Sequence, residues 1–341
     1  QNNRRLVKQG LHNLRAGRAR PGILALLDVA GRNPERITAS DLGFAAGPRL
    51  NAAGRLDDMT RGIECLLEDD PAVARAYALE LDGLNRDRRL IEQGMQQEAL
   101  AHLQQLQLDA ATRRSLCLYD ARWHQGVIGI LASRLKDRLH RPVVIFADAG
   151  TDADGATHIK GSARSIAGVH IRDLFDAVAT RNPGLLTKFG GHAMAAGLSL
   201  RLDDFDAFTL AVERELRDHA DEHFTPQLFT DGALDASCLS LEFAQMLREA
   251  GPWGQHFPEP LFDGEFGVVS TRVLGGKHLK LVLEVPGTNR IVDAIAFNQP
   301  QDILDAAEQG RAAARVLYKL DVNEYNGNCS PQLLVERLEF C

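Results

Sequence analysis

The chain has 341 residues, more than one ordinary core accommodates, and this predicts two or three domains. Apolar residues make up 45% and charged residues 25%, with 39 Lys and Arg against 46 Asp and Glu and a net charge of −7. That balance describes a soluble globular protein and excludes a uniformly basic nucleic-acid coat, although local basic patches remain compatible with nucleic acid.

No apolar run approaches the roughly 18 residues that a membrane-spanning helix needs. Gln1-Asn2-Asn3-Arg4-Arg5 has no apolar segment behind it, which argues against a signal peptide, and the first residue is not Met, so the chain is expected to begin inside a longer protein. Residues 1 to 30 read as two short helices broken by Arg20-Pro21-Gly22. The first 20 residues hold Arg4, Arg5, Lys8, Arg15, Arg18 and Arg20 and no acid, which is either a nucleic-acid contact or a solvated helix face. Thr38-Ala39-Ser40-Asp41 reads as a helix start capped near Ser40 or Asp41, and a loop is expected over Gly47 to Leu56. Pro71 opens a long helix to about Leu108, with Leu84, Ile91, Met95, Leu103 and Leu106 at helical spacing, suited to a connector between domains.

Ser115 to Tyr119 and Pro142 to Ala147 read as strands around a helix from Gly126 to Leu139, a β-α-β unit with a parallel strand pair. Two more helices are expected over 169–180 and 203–220. After Pro226 five apolar or alternating segments, near 264–274, 277–285, 290–297, 312–323 and 331–340, surround a helix at about 302–309. Gly275-Gly276 marks a hairpin, and the strand count is that of an OB-type barrel. The five cysteines are scattered and form no C-x-x-C pair, which argues against a structural zinc site or a disulfide framework and suits incidental thiols in a reducing cytoplasm.

Five segments could carry chemistry. In Gly47-Pro48-Arg49-Leu50-Asn51-Ala52-Ala53-Gly54-Arg55, small neighbours would let a phosphate backbone approach two guanidinium forks. Lys160-Gly161-Ser162-Ala163-Arg164-Ser165 could wrap a terminal phosphate with backbone N–H groups, hydroxyls and an Arg, though it lacks the Gly-Lys-Ser order of a Walker loop. Phe189-Gly190-Gly191-His192 exposes an imidazole behind paired glycines, for phosphate contact or acid–base work. Trp123-His124 stands where a strand turns into a helix, a common ligand position in α/β folds, with a packing Trp as the alternative. Gly251-Pro252-Trp253-Gly254 with Phe257-Pro258 reads as a rigid aromatic junction.

In this order and at these separations the motifs resemble the RecJ single-strand-specific exonucleases of the DHH phosphoesterase superfamily, over essentially the whole chain. Ser40 to Asp58, Trp123 to Leu135, Gly161 to Ser165, Phe189 to Ser199 and Gly251 to Gly264 carry the resemblance. It implies an α/β multidomain protein: the end of a DHH catalytic domain (1–70), a connector helix (71–110), an α/β DHH-associated domain (111–225) and an all-β OB-fold barrel (226–341). It implies 5′ to 3′ hydrolysis of single-stranded DNA in repair and recombination, with Mn²⁺ or Mg²⁺ in the intact enzyme, in the cytoplasm. The expected partners are single-stranded DNA, single-strand-binding protein and a helicase, with a monomeric chain and no membrane.

By the same resemblance Arg49, Asn51 and Arg55 would face the active-site phosphates, and Ser162, Arg164 and Ser165 would help hold the 5′-terminal phosphate or the nearby backbone. Gly190, Gly191 and His192 would face the cleft, His192 as the catalytic residue, with His124 a further substrate contact. Tyr318, Tyr325, Lys277 and Lys280 are candidates for tracking the strand on the barrel. The chain departs from the family in one large respect. No Asp-His-His triplet occurs, so this chain alone is expected to bind no metal and to be inactive. Asp152-Ala153-Asp154-Gly155 mimics part of a metal motif but reads as a surface turn. A non-catalytic strand-binding module and a small-nucleotide phosphodiesterase of the same superfamily are the rival readings. Affinity for a dinucleotide against a strand of about 12 nucleotides separates them.

Overall fold

The computed structural model describes residues 2–105, 113–254, 257–325 and 327–341, with side chains for all of these but 102–105 and 325. Helix α1 (Asn2–Arg15) comes first. The chain forms two compact units, one of Gly17–Gln227 and one of Gln1–Ala16 with Leu228–Cys341. This regroups the four segments expected from sequence: α1 belongs with the C-terminal unit, and the connector helix lies inside the larger unit.

The larger unit opens with helices α2 (Pro21–Val29), α3 (Ala39–Asp41), α4 (Gly47–Leu56), α5 (Thr60–Leu67) and α6 (Pro71–Gln105). The break at Pro21 is as expected, and Gly22 is required there because a Cβ would lie 1.8 Å from the Cys65 carbonyl oxygen on α5. The cap of α3 is Thr38 rather than Ser40 or Asp41: its side chain accepts from Asp41 N while the Asp41 carboxylate accepts from Thr38 N. The expected loop over 47–56 is helix. A π-helical turn (Leu42–Ala46) leads directly into α4, and Pro48 sits in its first turn, where a missing N–H is harmless. Ala25, Leu26, Ala46, Ala53, Cys65, Ala74, Ala78 and Leu81 form the core that binds α2, α4 and α5 to the first half of α6. The expected extension of α6 beyond Gln105, including Leu106, lies outside the described residues, as does the side chain of Leu103.

Strands β1 (Leu116–Tyr119) and β2 (Val143–Thr151) flank helix α7 (Ile128–Leu139) and pair in parallel, as predicted. Strands β3 (Thr157–Arg164), β4 (Lys188–Gly191) and β5 (Ala195–Arg201) complete one sheet of order β1-β2-β3-β5-β4, its later pairs antiparallel. Helices α8 (Ile171–Arg181) and α9 (Phe205–Leu216) match the two expected. β2 is buried on both faces, and its side chains alternate between two cores. Val143, Ile145 and Ala147 meet α7 together with Met95 and Ala99 of α6. Val144 and Phe146 meet Phe175 of α8 and Phe208 of α9.

In the second unit, helix α10 (Leu241–Ala250) precedes strands β6 (Phe262–Leu274), β7 (His278–Glu284) and β8 (Ile291–Ala296), helix α11 (Gln301–Glu308), and strands β9 (Ala313–Tyr325) and β10 (Asn328–Phe340). The strands close a barrel of order β10-β8-β7-β6-β9, the five-stranded OB-type arrangement anticipated. Arg4 of α1 donates to the carbonyl oxygens of Ala250 and Pro252 and lies 3.5 Å over the Phe257 ring, which stacks on Trp253. The aromatic junction is therefore structural.

Candidate nucleic-acid interface

The segment expected to be a phosphate-wrapping loop is strand β3, and the strand period decides what it presents. Ile159 and Ala163 enter the core. Gly161 lies on the same face and is glycine because a Cβ would come within 2.6 Å of both Leu198 and Phe146. Lys160, Ser162 and Arg164 turn the other way and line an open groove of about 330 Å³ with Ile128 at the start of α7 and Gly191. Gly129, in the first turn of α7, keeps this wall low: a Cβ there would meet Arg164 Nη2 and Ser162 Oγ at 3.0 Å.

Arg164 Nη1 donates to Ser162 Oγ at 3.2 Å and to the Ala163 carbonyl oxygen at 2.8 Å. Burial, and after it the charge of Arg55, hold the Arg164 guanidinium below its ordinary value. Arg55 reaches this neighbourhood from the end of α4, with Nη1 donating to the Gly126 carbonyl oxygen at 3.2 Å. Among the described residues no carboxylate is paired with Arg55, Lys160 or Arg164. Two partly buried guanidiniums and an ammonium without a counter-charge, beside a hydroxyl and glycine walls, are a donor set whose chemistry suits a phosphate.

The other expected site residues fare differently. Arg49 does not face the groove. It is buried, donating to the Asp82 carboxylate of α6 and to Ala45 O, because a guanidinium inside the helical core needs a counter-charge there. Ser165 is also withdrawn: its hydroxyl donates to Val169 O at 2.6 Å and it is 1% exposed. Asn51 is exposed on α4, outside the groove lining. Gly191 lines the groove and has a φ of 152°, with Ala195 O 2.4 Å from where a Cβ would stand. Gly190 and His192 are exposed beside it without lining it, and His192 N closes the turn onto Ala195 O.

His124 is exposed too, and its Nδ1 accepts from Gly126 N–H at 3.0 Å, so the neutral ring carries its proton on Nε2. Trp123 takes the packing alternative, buried with Nε1 donating to Glu98. Lys160, which opens the quoted segment, and Gln125 are lining residues given no role from sequence. Reading the segment as a strand would have placed Lys160 on the same face as Ser162 and Arg164. On the barrel, Tyr318 is no surface residue: it is 1% exposed and packs against Phe262 and Phe266, with burial pushing its hydroxyl up to about 12. The Tyr325 side chain lies outside those described.

Comparison with known proteins bears on this arrangement. Residues 113–218 match the DHHA1 domain and residues 230–337 match the RecJ OB domain. The single-stranded-DNA-specific exonuclease RecJ of Dickeya dadantii is 51% identical over 99% of this chain, and that of Escherichia coli is 49% identical over 99%. The chain belongs to the RecJ family. It spans 58% of the length of both relatives. The RecJ crystal structure from Thermus thermophilus in complex with Mg²⁺ matches over 98% of this chain and 48% of that one, at a TM-score of 0.77 and 28% identity.

RecJ structures from Thermus thermophilus have been solved with Mg²⁺ and with Mn²⁺. The described residues do not offer such an ion a site: among them no three His, Cys, Asp or Glu side chains converge. Asp152 is a turn residue, its carboxylate pairing with His158 and accepting from Ala156 N and Asp154 N, contacts that hold it below its ordinary 3.8. No helix among the described residues is long and apolar enough to cross a membrane.

Proposed function

We propose that this chain is the strand-gripping part of a RecJ-type exonuclease that degrades single-stranded DNA from its 5′ end in repair and recombination. The observation that carries this reading is the row of Lys160, Ser162 and Arg164 on β3, with Arg55 anchored nearby on the Gly126 carbonyl oxygen. Arg164 offers a planar fork to a terminal phosphate, Ser162 Oγ a further donor, and Lys160 a charge for the next phosphate along the strand. The glycine walls admit a backbone without base-specific contacts, which suits an enzyme that must advance along any sequence. His192, next to the lining residue Gly191, and His124, next to the lining residue Gln125, are both exposed and are assigned contacts with flanking phosphates.

Holding the terminal phosphate fixes the position of the scissile bond, and positioning is a large part of catalysis in phosphodiester cleavage. Bond breaking itself, dependent on Mg²⁺ or Mn²⁺ in the whole enzyme, is assigned to residues that this chain does not contain. The barrel, taken by itself, offers a further surface for a single strand, with Lys277 and Lys280 exposed or half-exposed on β7 and its approach. We place the enzyme in the cytoplasm, as a monomer working on strands delivered by a helicase and single-strand-binding protein.

The test is Mn²⁺-dependent digestion of a labelled single strand by this chain, with binding followed in parallel. Binding without cleavage supports the assignment. Failure to bind a single strand overturns it. Cleavage would place metal ligands within this chain, with Asp152 and Asp154 the first to substitute.

A further inference from the structure

The outward face of the barrel holds an aromatic side chain that core packing does not explain. On β7, Leu279, Leu281 and Leu283 are buried, so the two-residue period turns His278, Lys280 and Val282 outward. Across the β6–β7 ladder Arg272 stands opposite Lys280 and Leu274 opposite His278. Across the β7–β8 ladder Leu279 pairs with Ala296, which brings the next residue, Phe297, beside His278. Phe297 is 55% exposed, and its ring meets that of His278 edge to face, with centroids 5.3 Å apart.

The pair is held in place. His278 Nδ1 accepts from the Asn298 N–H at 3.0 Å, and Asn298 has a φ of 50°, which turns the chain back toward the ring. The Gln299 N–H donates to the Lys277 carbonyl oxygen at 2.8 Å, tying the segment after Phe297 to the tip of the β6–β7 hairpin. Lys277 is exposed at that tip, and Arg272 is exposed on β6. Among the described residues neither has a carboxylate partner, whereas Lys280 shares Asp293 at 3.3 Å.

An exposed, orientationally fixed aromatic ring flanked by cations without counter-charges matches one ligand chemistry, a nucleobase whose neighbouring phosphates need neutralising. An apolar protein partner would gain nothing from Arg272 and Lys277. We propose that Phe297, braced by His278, is a base-stacking platform for one nucleotide of a single strand, with Arg272 and Lys277 neutralising the phosphates on either side. This rests on the strand-gripping reading above and adds the residue on which a base sits.

The experiment measures binding of this chain to a single strand of about 12 nucleotides, and to the same strand carrying abasic sites, by fluorescence anisotropy over a range of salt. Wild type, Phe297→Ala, Phe297→Trp and, separately, Arg272→Gln with Lys277→Gln are compared. Phe297→Ala is expected to weaken the intact strand by roughly 5- to 100-fold, with Phe297→Trp at or above wild-type affinity. The slope of log affinity on log salt should stay unchanged in Phe297→Ala, since no cation is lost, and become shallower in the Arg272 and Lys277 variant. On the abasic strand Phe297→Ala and wild type should bind alike.

Wild-type affinity of Phe297→Ala for the intact strand, or an equal loss on the abasic one, overturns the platform while leaving the gripping function standing. Failure of the wild-type chain to bind either strand overturns the gripping function itself. Phe297 is on the surface, so its replacement leaves the barrel core intact.

Discussion

The carbonyl oxygen of Arg55 stands 2.1 Å from where a Cβ on residue 126 would be, so the end of α4 reaches the turn before α7 only because residue 126 is glycine. The contact is reciprocal, since Arg55 Nη1 donates to the Gly126 carbonyl oxygen. It brings the Arg55 charge near Arg164, a residue more than 100 positions away in the chain. Gly126→Ala would separate the two elements. It is expected to lower stability by about 1–3 kcal/mol and to weaken single-strand binding, read from the denaturant midpoint and from anisotropy. An unchanged midpoint with unchanged affinity would show that the contact is dispensable.

Arg164→Ala should weaken a 5′-phosphorylated strand by roughly tenfold or more, as expected for loss of a charge-assisted hydrogen bond, and affect a 5′-hydroxyl strand much less. Competition between the two strands on wild type and variant measures this directly. Equal loss on both would remove the terminal-phosphate role and leave Arg164 as a general backbone contact.

Arg49 has the composition of a phosphate ligand and the surroundings of a structural ion pair. Arg49→Ala leaves the Asp82 carboxylate, which Arg86 also contacts, without its buried partner. The expected result is a loss of about 3–5 kcal/mol in stability, seen as a lower thermal midpoint. Joint replacement of Arg49 and Asp82 by apolar residues of similar size should restore much of it. A large affinity loss at an unchanged midpoint would return Arg49 to the phosphate site.

Tyr318 makes the barrel sensitive to alkali. Burial, followed by the charge of Asp263, pushes its hydroxyl up to about 12 from the ordinary 10.0. The folded state therefore holds the phenolic proton more tightly than the unfolded chain does. This contribution is present below pH 10, and it is lost as pH rises through about 12. Tyr318→Phe should move base-induced unfolding to higher pH, measured by far-ultraviolet circular dichroism. An unfolding pH equal to or below that of wild type would contradict this.

How much of the fold was legible depended on whether side-chain pattern or long-range contact set each element. The barrel strands announce themselves by alternation, and Gly275-Gly276 fixes the first hairpin, so all five were readable. β3 was not. Gly161 interrupts its apolar alternation, and the reason for that glycine is the space taken by Phe146 and Leu198 of neighbouring strands, invisible in a local window. The same held for α4, where Gly47-Pro48 looks like a turn until the π-helical turn before it is seen to lead straight into the helix. Ser162, Arg164 and Arg55 could be nominated because hydroxyls and guanidiniums beside glycines suit phosphate. Arg49 and Ser165 could not be told apart from them, since burial is a property of the whole fold.

The sequence by itself determined the element types with strong periodicity, the parallel β-α-β unit, the closing barrel and the hydroxyl and guanidinium chemistry from which a phosphate site is proposed. Tertiary structure decided which charges remain available. It neutralised Arg49 with Asp82, turned Ser165 inward and, among the described residues, left Arg55 and Arg164 without a carboxylate partner. It also buried Tyr318 and left Phe297 on the surface. The physical reason is that spacing along a strand or helix fixes the face on which a side chain lies. Whether that face meets solvent, core or an opposite charge is set by elements far away in the chain.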